Sequence, residues 1–346
     1  MKGELSHGLP ALATAGNRIV RADTGAPVLL RGLNRSGLEY SEPSEAGFLA
    51  AAGFTREEVR EIVAGWNANV IRVPFNQDWA LHGRGGHSAE EYRAALDQVI
   101  EWAAAFGAYT ILDLQWLDAD TVYGHTSGRE NHVAPLPDAL TVSLWSEFAA
   151  RYREEPAVLF DLFNEPHDPV DDDWRPLHLI GPAGSVVEAD PDCVGPEEWV
   201  PWAERLVREI RAVHPGVLIL VAGVDWAFDL RGIEIDAPNI VYSAHIYANR
   251  ARRHWRKALG RADRVPIFVG EWGGRDRDLE FGRRLAQVLR SSACGWTAWS
   301  WADSPKLVAP PNFQPTLFGA LVRNELRVTY GIGEFRKVLR PTIERG

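Results

Sequence analysis

Two glutamates stand at the ends of apolar runs in this chain. Val158-Leu-Phe-Asp-Leu-Phe163 leads into Asn164-Glu165-Pro166, and Val265-Pro-Ile-Phe-Val-Gly270 leads into Glu271-Trp-Gly273. Each run reads as a buried β-strand, so each carboxylate is delivered at a strand's C-terminal tip. A glutamate after one strand is common and says little. Two such tips supply what cleavage of a glycosidic bond needs: one acid, and one nucleophile or base across the same bond.

The elements that must position this pair alternate along the chain. Strand-like segments fall at residues 30–34, 69–74, 109–114, 158–163, 217–222, 240–244, 266–269 and 295–300. Helical stripes lie between them: Tyr92, Leu96, Val99, Ala103 and Phe106; Trp202, Leu206, Ile210 and Val213, stopped by His214-Pro215-Gly216; and Leu279, Gly282, Leu285 and Leu289. Phe335, Val338 and Leu339 suggest a closing helix. Ahead of the series, Arg18-Ile-Val-Arg21 and residues 27–30 flank Asp23-Thr-Gly25, the pattern of a β-hairpin. Eight strands in one unbroken alternation predict an α/β fold, a (β/α)8 TIM barrel with a short N-terminal hairpin, whose sites gather at the C-terminal strand ends. No shift of composition divides the chain, so residues 1–346 read as a single domain.

Composition narrows the partners. The chain has 346 residues, 46% of them hydrophobic, enough for a large core. A formal charge of −10 argues against nucleic acid or an anionic membrane, either of which wants a basic face. No apolar stretch reaches membrane-span length, and residues 1–10 carry no apolar core of a signal peptide, which leaves the compartment open. Cys193 and Cys294 form no metal or redox motif. His125, His132, His167 and His178 show no metal-ligand spacing, and Asp168, Asp171, Asp172 and Asp173 around Trp174 match no EF-hand, so no metal or cofactor is expected. Fourteen tryptophans are the outlier, several near strand ends (Trp79, Trp116, Trp226, Trp272, Trp299, Trp301). Indole faces suit the C–H face of a sugar ring, and large core fillers account for about half of them.

Taken in order, the strand tips present Asn34, Arg72, Gln115, Asn164-Glu165, His245 with Tyr247, Glu271 and Trp299. This series resembles glycoside hydrolase family 5, the cellulase-type retaining β-glycosidases. The motifs are Arg31-Gly-Leu-Asn34, Ile71-Arg-Val-Pro74, Asn164-Glu-Pro166, His245-Ile-Tyr247, Gly270-Glu-Trp-Gly273 and residues 296–301. The resemblance implies that Glu165 is the general acid/base and Glu271 the nucleophile. It implies that Asn164 binds the sugar 2-hydroxyl and that Trp299 is the platform of the −1 subsite. Asn34, Arg72, Gln115, Trp116, His245 and Tyr247 complete the expected substrate-binding set. Gln115 departs from the family's pattern, which usually has histidine after the Leu-Asp-Leu run; a glutamine still hydrogen-bonds hydroxyls but takes no charge.

The implied activity is hydrolysis of a β-linked polysaccharide or oligosaccharide, foremost β-1,4-glucan, by double displacement and without a cofactor. A β-mannanase, an exo-acting β-glucosidase and a transglycosylase use the same scaffold and chemistry. The reading from another class is a barrel that binds glycans without cleaving them. The loops at residues 117–135 and 167–198 are long enough to shape the cleft and so to decide endo against exo action. Oligomeric state is not legible.

Overall fold

The computed structural model describes residues 8–117, 134–168, 194–292, 294–309 and 312–328, with the backbone of a two-stranded ribbon within 125–130. The strands in chain order are β1 Leu12–Ala15, β2 Arg18–Arg21, β3 Arg31–Asn34, β4 Val70–Asn76, β5 Tyr109–Trp116, β6 His125–Thr126, β7 Arg129–Glu130, β8 Val158–Asp161, β9 Ile219–Ala222, β10 Ile240–Tyr247, β11 Ile267–Gly273, β12 Gly295–Ala298, β13 Val308–Ala309 and β14 Gln314–Pro315. β3, β4, β5, β8, β9, β10, β11 and β12 pair in parallel, in sequence order, and close into a barrel. All eight expected barrel strands are present, and the fold is a (β/α)8 TIM barrel.

Helices pack outside. Ala89–Ala105 starts at a capping box in which the Ser88 hydroxyl and the Glu91 carboxylate satisfy each other's backbone N–H. Ala139–Arg151, Pro196–Val213 and Leu279–Ser292 follow the same plan of one buried stripe. In Pro196–Val213 the stripe runs through Trp199, Ala203, Leu206 and Ile210, so Trp199 rather than Trp202 is the core anchor. Its indole N–H donates to Ala222 O at 2.7 Å, tying the helix to β9. A helix at Leu317–Arg327, absent from the sequence reading, packs beside Leu279–Ser292 and behind β11, where Phe318 meets the Trp272 ring. The segment with Phe335, Val338 and Leu339 lies outside the described residues. Among the described residues no helix is long and apolar enough to cross a membrane.

The N-terminal hairpin exists with Arg18–Arg21 as one arm, as expected, but its other arm is Leu12–Ala15. β1 pairs antiparallel with β2 around Gly16-Asn17, and Gly16 has φ 59, a left-handed turn that glycine adopts without cost. Residues 27–30 contribute only the isolated bridge Val20–Pro27, made by Val28 N–H on Ile19 O at 2.9 Å and Arg21 N–H on Ala26 O at 2.8 Å. Leu12 and Ile19 of this hairpin plug the N-terminal end of the barrel against Val70, Ile111, Leu220 and Phe268.

Several tryptophans expected near the mouth are core. Trp79 and Trp272 are fully buried, as is Trp301, which meets Trp66 edge-on and donates to Glu58 Oε1 at 3.2 Å. Cys294 is a buried free thiol, and Cys193 lies outside the described residues.

Candidate active site

Strand parity decides which side chains enter the barrel. Along β4 and β5, Arg72 and Asp113 point inward from alternate positions, and Asp113 lies in register with Asp161 of β8. On β11 the alternation is broken. Ala244 pairs with Val269 but His245 with Glu271, so Gly270 is an extra residue, a β-bulge. The bulge turns Glu271 into the barrel and sends Trp272 outward against Trp296. Gly270 has to lack a side chain: a Cβ there would lie 2.6 Å from Ser243 Oγ and 2.9 Å from His245 Nε2.

Arg72 is the hub, with no exposed surface. Its Nε donates to Asp161 Oδ2 at 2.9 Å, and its Nη1 donates to Asn34 Oδ1 at 3.0 Å and Glu271 Oε1 at 2.9 Å. Nη2 donates to Asn164 Oδ1 at 2.9 Å and ion-pairs with Asp113 at 2.8 Å. Asn34 uses its amide N–H on Gly270 O at 3.0 Å, which ties the hub to the bulge. The Tyr247 hydroxyl donates to the second oxygen of Glu271 at 2.6 Å. Glu271 therefore receives a donor on each oxygen, an arrangement that favours the carboxylate.

Glu165 has a different environment. Its side chain keeps 20% of its surface exposed, and the contact among the described residues is His245 Nδ1 to Oε1 at 2.7 Å. Burial pushes its pKa up to about 7, against the opposing fields of Arg72 and Arg250. Burial also takes His245 down to about 3, so the ring is neutral. One oxygen of Glu165, one of Glu271 and a ring nitrogen of His245 all lie within 4.8 Å of one another. An acid that keeps its proton thus faces an anchored carboxylate across the width of one glycosidic bond.

The mouth on the Glu165 side opens into a cleft of about 310 Å³ lined by Trp226, His245, Tyr247, Asn249 and Arg250. Trp226 is held there by stacking on His167, with centroids 3.7 Å apart and planes 14° from parallel. Asp225, Trp226 and Ala227 are all left-handed (φ 56, 61 and 56). Arg250 clamps that turn, with both Nη groups on the Asp225 carboxylate at 2.9 Å and Nη2 on its carbonyl at 2.8 Å.

Of the residues singled out from sequence, Asn34, Arg72, Asn164, Glu165, His245, Tyr247 and Glu271 share this network. Gln115 and Trp116 end β5; Gln115 is buried, its Oε1 without a hydrogen-bond partner among the described residues, and Trp116 lies 6.0 Å from the Tyr40 ring. Trp299 follows β12, half-buried, its indole N–H donating to Ser304 O at 3.2 Å. Asp113, Asp161, Asn249 and Arg250 were missed. The two aspartates had a signal, a lone carboxylate inside an apolar strand; Asn249 and Arg250 had none. His125, His132, His178 and Asp171 to Asp173 with Trp174 lie outside the residues whose side chains are described.

A family model described as Cellulase (glycosyl hydrolase family 5) matches residues 22–305. The chain belongs to glycosyl hydrolase family 5. It is similar to Endoglucanase E-5 of Thermobifida fusca, 23% identical over 299 residues, covering 81% of this chain and 53% of that protein. It is also similar to Endoglucanase A of Butyrivibrio fibrisolvens, 26% identical over 275 residues, with 77% and 53% covered. The chain therefore spans about half the length of these two relatives. Among solved structures, the β-glucanase SdGluc5_26A of Saccharophagus degradans superposes with a TM-score of 0.68 at 22% identity, covering 91% of this chain and 92% of that one. At that identity the likeness speaks for the barrel fold alone.

Proposed function

We propose that this family 5 barrel is a retaining β-glycosidase acting on β-1,4-linked glucan, with Glu271 as nucleophile and Glu165 as acid/base, in one catalytic domain and without a cofactor. The observation that carries the reading is the closeness of two carboxyls in opposite environments. Their oxygens approach within 4.8 Å, which fits the separation of about 5–5.5 Å that direct nucleophilic attack requires. An inverting pair stands farther apart to admit a water.

Glu271, held anionic by Arg72 and Tyr247, attacks the anomeric carbon while Glu165 gives its proton to the leaving oxygen. The carboxylate that Glu165 becomes then takes a proton from water, which releases the sugar with its configuration kept. Asn164, oriented by Arg72, is set to bind the 2-hydroxyl, and Trp299 supplies the −1 platform. Gln115 and Trp116 are assigned to hydroxyl and ring contacts beside it. The leaving sugar would lie in the cleft over Trp226, on the side of the proton donor. The glucan assignment is supported by relatives named endoglucanases and by the cellotetraose complex of SdGluc5_26A.

Product analysis tests this. The protein is incubated with β-1,4-glucan, mixed-linkage glucan, mannan and xylan, with Glu271→Ala as the blank. Internal cuts in β-1,4-glucan giving β-anomeric products by NMR are expected. Cuts confined to mannan would reassign the substrate, and α-anomeric products would overturn the mechanism. Binding to glucan with no product on any polymer would leave a glycan-binding barrel.

A further inference from the structure

Arg72 carries one positive charge and faces three carboxyl groups, Asp113, Asp161 and Glu271, at 2.8–2.9 Å. The double displacement assigned above uses Glu271 alone and gives no reason for the other two. Both aspartates are buried without exposed surface. They lie side by side in register on β5 and β8, so they repel each other if both are charged. Asp161 has a directed hydrogen bond from Arg72 Nε, whereas both oxygens of Asp113 lack a well-aligned donor among the described residues. A carboxyl with no aligned donor is the one that keeps its proton. Burial accordingly raises Asp113 well above the carboxylate range and Asp161 only to about 6, each against Arg72. The working charges below the nucleophile are then Arg72 positive, Asp161 negative and Asp113 neutral.

The nucleophile's charge changes during the reaction. When Glu271 bonds to the anomeric carbon, the glycosidic C–O bond breaks, the Glu165 proton leaves on the departing sugar oxygen, and Glu271 becomes a neutral ester. Arg72, which has no exposed surface, loses an anionic partner. We propose that Asp161 is a positioning residue for Arg72 that divides the guanidinium's hold, so that Glu271 is bound loosely enough to attack and Arg72 keeps a counter-charge in the covalent intermediate. This rests on the retaining reading. Removing the Asp161 charge concentrates Arg72 on Glu271. The resting carboxylate is then overstabilised and slower to attack. As a leaving group it is better, so breakdown of the ester by water, whose proton passes to Glu165, is not slowed.

The two half-reactions can be timed separately with 2,4-dinitrophenyl 2-deoxy-2-fluoro-β-cellobioside, whose leaving group needs no acid. Inactivation reads ester formation, and recovery of activity after removing excess reagent reads ester breakdown. In Asp161→Asn, inactivation is expected to slow by about tenfold or more while recovery equals or exceeds that of the unaltered protein. Asp161→Ser, which also removes the charge and keeps an acceptor oxygen, should show the same split if the asparagine variant fails to fold. Asp161→Glu should restore the ratio of the two rates, and Asp113→Asn, which mimics a neutral carboxyl, should leave that ratio unaltered. Equal slowing of both rates in the Asp161 variants would mean a merely structural role and overturn the proposal. So would an Asp113→Asn split as large as that of Asp161→Asn. If the unaltered protein gains no covalent adduct by mass spectrometry, the retaining reading itself falls, and this assignment with it.

Discussion

Burial holds the Glu165 carboxyl at about 7, above its ordinary value of 4.5, because water is replaced around it faster than Arg72 and Arg250 can compensate. Between those two values the folded state binds a proton that the unfolded chain does not. The stability linked to this group is therefore complete below pH ~4.5 and is lost as pH rises through about 7. At pH 8.5 the cost is on the order of a few kcal/mol, for a side chain still partly in water. Glu165→Gln removes the titrating group, so its melting temperature relative to the unaltered protein should rise from no gain at pH 4 to a clear gain at pH 8.5. Scanning calorimetry at the two pH values checks this, and an equal gain at both would refute it. The same proton sets activity: kcat/KM on β-1,4-glucan should fall about tenfold per pH unit above pH ~7, and Glu165→Gln should lose about a hundredfold or more on that substrate. Glu165, Glu271 and Arg72 could be picked out from sequence because each ends or interrupts an apolar strand with a charge. Asp113 and Asp161 offered the same signal and were passed over, since a strand's pattern gives the face but not the depth along the barrel axis.

At the scale of the element, the decisive feature is the bulge at Gly270. Without it, the two-residue period that puts Phe268 inside the barrel would also put Trp272 inside and turn Glu271 outward. Sequence placed Glu271 at the strand tip but could not show this inversion, because one glycine in a strand has no unique geometry. Gly270→Ala should insert a methyl group between Ser243 Oγ and His245 Nε2. The Glu271 strand cannot give way easily, since Gly270 O also accepts from Asn34 at 3.0 Å and Thr297 at 2.6 Å. His245 is therefore the group that moves, and with it the contact to Glu165. The expected outcome is a drop in kcat/KM of about tenfold or more on β-1,4-glucan, with destabilisation of about 1–3 kcal/mol. Adding Ser243→Gly to the alanine variant removes one of the two clashes and should recover part of both losses. Initial rates and urea unfolding of the single and double variants decide it; unchanged kinetics in Gly270→Ala would show that the site tolerates displacement of His245.

Over the whole molecule, the barrel separates stability from chemistry along its axis. The C-terminal end holds the charged network around Arg72, and the N-terminal end is an apolar floor closed by the hairpin. Alternation of strands and helices was enough to predict the barrel, because period and segment length survive in one dimension. The true hairpin partner was not legible: Leu12 to Ala15 lacks a strong strand pattern and is selected by what it covers, the open bottom of the barrel. Ile19 is the test of that division. It is buried in the floor cluster with Leu12, on the far side of the Arg72 layer from the cleft. Ile19→Ala removes three carbons that nothing nearby can replace, since the floor strands are fixed in a closed ladder. The expected cost is about 2–4 kcal/mol in equilibrium unfolding. Because no hydrogen bond among the described residues links the hairpin to the network at the other end, kcat and KM on β-1,4-glucan at 25 °C should stay within about twofold of the unaltered protein. Urea unfolding followed by tryptophan fluorescence gives the first quantity and steady-state rates the second. A fall in kcat alongside the lost stability would mean that the floor and the catalytic end move as one unit, and that the hairpin helps to hold Arg72 in place.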